Sequence, residues 1–207
     1  MLSLAYLIAS AAAWGYTGSE ACGDCHQQAY DDWRGSHHDL AMQLPSPETV
    51  LGNFDNTAFT HDGVTTRFYR EGDHYMVRTD GEDGKLQDFP VEYVFGVYPL
   101  QQYLLPLTRG RLQALTVAWD SRSPEEGGQR WFHLYPDEEI DHSDPLHWTG
   151  PYHNWNTRCA ECHSTDLRKN YDAGSRSFST TFEEVNVGCE ACHGPGEKHI
   201  ELARADS

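Results

Sequence analysis

The middle of the chain carries short apolar runs broken by turn residues, with no helical spacing among them. In "VTTRFYREGDHYMVRTDGEDG", the runs Val64 to Tyr69 and Tyr75 to Thr79 flank Gly72-Asp73, which predicts a hairpin. "VEYVFGV" (Val91 to Val97), "LQALTVAWD" (Leu112 to Asp120) and "RWFHLYP" (Arg130 to Pro136) are rich in β-branched and aromatic residues and extend the β block. Asp137 to Asp144, "DEEIDHSD", reads as an acidic, solvated turn. Upstream, "AYDDWRGSHHDLAM" sets Ala29, Tyr30, Trp33, His37, Leu40 and Ala41 on one face at helical spacing. Gly35 weakens that helix by about 1 kcal/mol relative to alanine.

At the start, Leu2 to Gly15 is an apolar run, shorter than the ~20 residues a membrane-spanning helix needs. It resembles the apolar region of an export signal, with Ala9-Ser10-Ala11 or Ala11-Ala12-Ala13 as a small-residue cleavage site. No Lys or Arg precedes it; the other reading is an N-terminal helix packed in the fold. The 207 residues suit one domain or two small ones, and 38% hydrophobic content is lean for a self-sufficient core. A formal charge of −17 excludes nucleic-acid binding through a basic face and favours partners with a basic docking patch.

All six cysteines fall in three pentads: "CGDCH" (Cys22, Cys25, His26), "CAECH" (Cys159, Cys162, His163) and "CEACH" (Cys189, Cys192, His193). C-x-x-C-H is the attachment pattern of c-type haem: two thioether links, with the adjacent histidine as proximal ligand of the iron. Zinc fails as a reading, because three pairs make no integral number of four-cysteine sites and zinc gives no reason for a histidine in fifth place. A redox dithiol would need one pair near a βαβ pattern. The expectation is three covalently attached c-type haems, whose porphyrins supply apolar surface that the side chains do not. Attachment of this kind happens outside the cytoplasmic membrane. The chain is therefore expected to be exported, periplasmic or extracellular, with the N-terminal segment offering membrane association. The organisation then reads as a signal-like segment (1–17), a first haem segment (18–58), a β-rich insertion (59–140) and a segment for the second and third haems (141–207). Only about thirty residues separate the last two motifs, so their haems should be spatial neighbours.

Nine histidines remain after the three proximal ones, against three methionines, so bis-histidine iron is the default. That choice biases the irons to low potential relative to His/Met ligation. His199 lies six residues beyond His193, and Gly194-Pro195-Gly196 turns between them, so His199 should serve a neighbouring haem. His37 and His38 point about 100° apart on a helix, so only one faces a given iron; His38 is preferred. His147 is preferred over His153 as the third distal ligand. His74 and His142 read as exposed and His133 as a structural histidine, while His61 is undecided.

"W-x-x-S-x-H-x-x-A" (Trp33, Ser36, His38, Ala41) and "C-E-x-C-H-G-P-G-x-x-H" (Cys189 through His199) resemble motifs of the cytochrome c554-like multihaem family. "PLQQYL", "HLYPDE" and "NWNTRCAECHST" resemble the haem-bearing N-terminal part of larger multihaem cytochromes that carry tetratricopeptide repeats. The resemblance implies that His38 and His199 are distal ligands to haems other than their own, in a closely packed array. The fold expected is α+β, a multihaem c-type cytochrome with short helices and loops around three haems and an inserted antiparallel β block. The leading function is electron transfer to redox partner proteins such as other cytochromes, with head-to-tail self-assembly open to it. A second reading is a multihaem oxidoreductase with one open haem iron acting on a small nitrogen or sulfur compound. A third is a sensor whose β block binds a ligand.

Overall fold

The computed structural model describes residues 15–205. The apolar run expected as an export signal lies outside them, apart from Gly15. None of the described helices is long and apolar enough to cross a membrane.

Helices α1 (Ser19–Gly23) and α2 (Gln27–Trp33) open the chain. The helix expected through residue 41 stops at Trp33, and the chain passes Gly35 at φ +73° into turns. Gly35 is the reason: positive φ is cheap only where no Cβ exists.

The β block has two sheets. Strands β2 (Thr57–His61), β3 (Val64–Glu71), β4 (His74–Asp80) and β5 (Leu86–Pro90) form an antiparallel meander in sequence order. The expected hairpin is there, with Glu71 opposite His74 across Gly72-Asp73. The second sheet runs β1 (Met42–Gln43), β6 (Tyr93–Phe95), β7 (Leu100–Leu107), β9 (Val117–Asp120), β10 (Arg130–His133), and β8 (Arg111–Ala114) also pairs with β7. The run expected as one strand from Leu112 to Asp120 is broken at Leu115-Thr116, where pairing to β7 passes from its C-terminal half to its first residues.

An aromatic core fills the space between the sheets. Phe54 meets Phe68, Tyr75, Tyr103 and Trp131 edge-on, and Phe68 stacks on Trp131 with centroids 3.5 Å apart. The edge-on contacts suit ring quadrupoles, and the rings pack with aliphatic residues such as Val77, Val94, Leu105 and Leu115. A second cluster (Met42, Phe95, Leu104, Ala114, Trp155, Ala160) lies where the β block meets α3 (Trp155–Arg158) and α4 (Ala160–His163). Asn156 locks this junction from a fully buried position: its Oδ1 accepts the Leu112 N–H at 2.8 Å, and its Nδ2 donates to Thr180 Oγ1 at 2.9 Å. The hairpin β11 (Tyr171–Asp172) and β12 (Ser177–Phe178) follows, then α5 (Cys189–His193) and α6 (Glu197–Ala205).

Candidate functional site

Each pentad lies on a short helix or its end. α5 holds the whole third motif, α4 holds Cys162 and His163 with Cys159 at its N-cap, and Cys22 lies in α1 with Cys25 and His26 in the turn after it. The His26 N–H donates to Cys22 O at 2.9 Å, so this turn is helical as well. Residues i, i+3 and i+4 share a helix face, which gives each motif two thiols and one imidazole on the same side. The first cysteine of each pair is half-buried and the second exposed. Burial pushes the Cys22 thiol up to about 11, helped by Cys189, Glu190 and Glu184 beside it.

The third motif stands between the other two. Ser19, 1% exposed, accepts the Cys189 N–H on its Oγ at 2.8 Å and donates the same hydroxyl to Glu184 at 2.9 Å. Trp33 donates its indole N–H to Val187 O, and the Val187 N–H goes back to His38 O. On the other side, Thr165, two residues past His163, bridges Glu184 and accepts the Gly188 N–H at 2.8 Å. Both neighbours of the third motif are thus fixed by hydrogen bonds between backbones and small polar side chains.

Glu190, the second residue of "CEACH", was not singled out by sequence reasoning. It is 2% exposed, and its carboxylate accepts the N–H groups of Thr17 (2.9 Å), Gly18 (2.7 Å) and Gly196 (2.6 Å). It ties the chain before α1 and the Gly-Pro-Gly turn before α6 to the third motif. The only sequence signal was an acidic residue inside a haem pentad.

The histidines separate clearly. The His26 and His199 ring centroids lie 6.1 Å apart, with planes 22° apart. Two imidazoles that bind one metal through ring nitrogens at about 2 Å have centroids about 6 Å apart, a separation this pair matches. The His163 Nδ1–H donates to Ala41 O at 3.1 Å, which fixes the tautomer and keeps Nε2 for a metal. These are the marks of residues that fit haem. His193 ends α5, exposed; His38 and His37 are exposed in the turns after α2, three or four residues from Ala41.

His147 is a correction. Expected as a distal ligand, it is 5% exposed in the β block, with Nδ1 on Thr149 Oγ1 at 2.8 Å and Nε2 on Asp80 Oδ2 at 3.1 Å. Both ring nitrogens are engaged, so neither can take iron without breaking a buried pair. Burial on its own would raise the Asp80 carboxyl, but the hydrogen bond and charge of His147, with further donors, hold it below the usual value. His153, the alternative in the same loop, is buried too, and its Nε2 lies 3.4 Å from Tyr135 Oη. His133 bonds Tyr135 O and Thr116 Oγ1, a structural histidine as expected.

Comparison with known proteins accords with this geometry. The family model "Cytochrome c554 and c-prime" matches residues 21–60 and 133–194, the segments that carry the three motifs, and leaves most of the β block between them. A solved structure, that of the outer cell wall cytochrome OcwA, superposes with a TM-score of 0.55 at 21% identity over 93% of this chain. The matched part is 34% of that chain, so this sequence spans about a third of its length. At this identity the likeness shows the fold: mixed helix and sheet, as in a multihaem cytochrome. Among curated proteins none matches.

Proposed function

We propose, on the premise that this chain resembles the cytochrome c554-like family and so binds c-type haem covalently, that it is a trihaem electron-transfer protein. The observation that carries the reading is the His26–His199 pair, two imidazoles from opposite ends of the sequence with ring centroids 6.1 Å apart, near the separation that one shared iron would give. Cys22, Cys25 and His26 would hold the first haem, with His199 as its distal ligand. Cys159, Cys162 and His163 would hold the second, and Cys189, Cys192 and His193 the third. His38 would serve the second or third iron, since its backbone is hydrogen-bonded to Val187 and lies near His163. Bound there, haem supplies one-electron exchange between ferric and ferrous iron.

The residues of the chain do the rest. Ser19, Glu184 and Thr165 hold the three attachment helices side by side, which sets the distance an electron must cross. Glu190 fixes the turn that delivers His199, and Ala41 fixes the tautomer of His163. With both His26 and His199 holding it, the first iron would offer no position to a substrate. The −17 charge steers the chain toward basic docking patches on redox partners, including other cytochromes, and self-assembly would need close contacts that offset the repulsion. Export to the periplasm or beyond goes with the attachment chemistry and with the likeness to an outer cell wall cytochrome.

With His147 withdrawn, histidines are argued for two of three distal positions, and that favours keeping a second reading, an oxidoreductase with one open iron. Ferrous spectra with and without carbon monoxide, beside low-temperature EPR of the ferric holoprotein, separate the two. Three low-spin haems that ignore carbon monoxide support electron transfer. One high-spin, carbon-monoxide-binding haem, persisting at high protein concentration, overturns it in favour of the oxidoreductase.

A further inference from the structure

In a chain of formal charge −17, one concave part of the surface is lined by cations and by no carboxylate among the described residues. It is a cleft of about 640 Å³ between β8, the segment 149–157 and the β11–β12 hairpin. Arg111, Lys169 and Arg176 line it, with the Thr157 side and the Tyr171 and Phe178 rings. Close backbone packing shapes it. Gly110, at φ +68°, lies so near the Phe178 carbonyl that any Cβ there would collide with it, and this brings the hairpin down over β8.

The cations are held in different ways. Arg111 donates to Glu82 at 2.8 Å, and Lys169 pairs with Glu161 at 3.2 Å. Neither carboxylate lines the cleft, so each orients a cation without filling the space in front of it. Arg176, on the hairpin tip at φ +53°, makes no ion pair among the described residues. Phe178 and Tyr171 pair at 4.8 Å between centroids and add an apolar flank. Low-dielectric walls around same-sign charges concentrate the field. A guanidinium fork matches a carboxylate or similar oxyanion in two parallel hydrogen bonds.

We propose that this cleft binds a small oxyanion, a di- or tricarboxylate, beside the second haem motif. It is separate from the haem site itself. Cys159, Cys162 and His163 do not line it, and the His163 ring packs on Phe95, 5.4 Å away, toward Ala41. It is nevertheless close. Thr157 is two residues before Cys159, and Glu161, the partner of Lys169, lies inside the pentad. A bound anion would stabilise ferric over ferrous iron nearby and lower that haem's potential. This electrochemical consequence rests on the haem assignment above; the binding does not.

The same carboxylate chemistry has a second source, a propionate of the second haem folded into the cleft, and the test separates them. Holoprotein, with its haem content and redox titration established first, is titrated calorimetrically with citrate at low ionic strength. The same is done for Arg176→Gln, Lys169→Gln and a control, Arg67→Gln, whose guanidinium bonds Asn56 on the other sheet. Expected is one citrate per chain, weakened about tenfold or more by either cleft variant, as befits loss of one charge-assisted contact, and unchanged in the control. Citrate should also lower one midpoint potential, and Arg176→Gln should abolish that shift. Several weak sites equally affected by Arg67→Gln would mean diffuse surface attraction and overturn the proposal. No citrate binding, together with a potential altered by Lys169→Gln in the absence of citrate, would assign the cleft to the propionate and overturn it too.

Discussion

Replacing Glu190 by alanine should damage both stability and one iron. The carboxylate accepts three backbone N–H groups at 2.6–2.9 Å from a position 2% exposed. Each donor left without a partner costs about 1–3 kcal/mol. Thr17, Gly18 and Gly196 are half-exposed, so water recovers part of that, and the low end applies: about 3–5 kcal/mol for the three. Glu190→Gln keeps one acceptor oxygen but turns an amide N–H₂ toward donors, and should cost about 1–3 kcal/mol on the same scale. Gly196 lies three residues before His199, so loosening its turn should also loosen the ligand that faces His26. Guanidinium unfolding of holoprotein, followed by the Soret band and by tryptophan fluorescence, gives the stability, and ferric EPR at low temperature gives the spin state. A loss under about 1 kcal/mol in Glu190→Ala, against the sum of donors left bare, would refute the assignment of this carboxylate as the clamp. So would a larger loss from Gln than from Ala.

Three further outcomes are expected. His199→Ala should turn one haem, and one only, high-spin and open to carbon monoxide; three low-spin haems would dissolve its pairing with His26. His147→Ala strands the Asp80 carboxylate in the β block and should cost about 3–5 kcal/mol, while the haem spectra of the folded protein stay as in the parent; a new high-spin haem would restore His147 as a ligand. Burial holds His133 and His153 below their ordinary value of 6.5, so the unfolded chain binds more protons than the folded one below that pH. Stability from these two groups is therefore full above about pH 6.5 and is lost as pH falls from there toward their folded values. Below about pH 4 protonation of Asp80, whose folded value is depressed, adds a second loss. A guanidinium midpoint constant from pH 7.5 to 5.5 would contradict the first of these.

What was legible in the sequence is what has a local code. The three pentads carry the attachment pattern in full, and the Gly72-Asp73 hairpin follows from turn chemistry and two flanking runs. The strand β7, "LQQYLLPL", was harder, because both its faces are largely buried and its apolar residues do not alternate cleanly. His199 was assigned away from its own motif on the expectation that a six-residue turn does not pass around a porphyrin, and its ring lies 6.1 Å from that of His26. His147 was misread because nothing local distinguishes a histidine that will face iron from one that will meet Asp80, sixty-seven residues away. The roles of Glu190 and Ser19 were hidden for a similar reason: apart from Gly196, six residues after Glu190, their partners lie 165–173 residues distant in sequence. Long-range polar contacts leave no periodicity to read.

The distribution of buried apolar surface makes a last claim about how the parts depend on haem. A core lean in side chains and completed by porphyrins would leave the whole chain without haem poorly folded. The structure divides that expectation. The β block owns a complete aromatic core of its own, including Phe54, Phe68, Tyr103, Trp119, Trp131 and Trp148. By contrast α1 buries only Ser19 and Gly23, α5 buries only Glu190, and α2 and α6 bury no residue at all. Helices of five to nine residues that bury no large apolar side chain persist poorly in water on their own. Porphyrin planes are the apolar surface against which they would pack. Without haem attachment, amides of β3, β4 and β7 should therefore exchange slowly and those of α1, α2, α5 and α6 at the rate of an open chain. The measurement is amide hydrogen exchange on a Cys22→Ala, Cys25→Ala, Cys159→Ala, Cys162→Ala, Cys189→Ala, Cys192→Ala chain, beside holoprotein. Equal protection of α5 in both would mean that the Ser19, Glu184 and Glu190 network holds the attachment helices without haem, and that the irons are loaded into a site already built. Loss of protection in the β strands as well would mean that the aromatic core depends on its junction with α3 and α4, and that the protein folds as one unit around its haems.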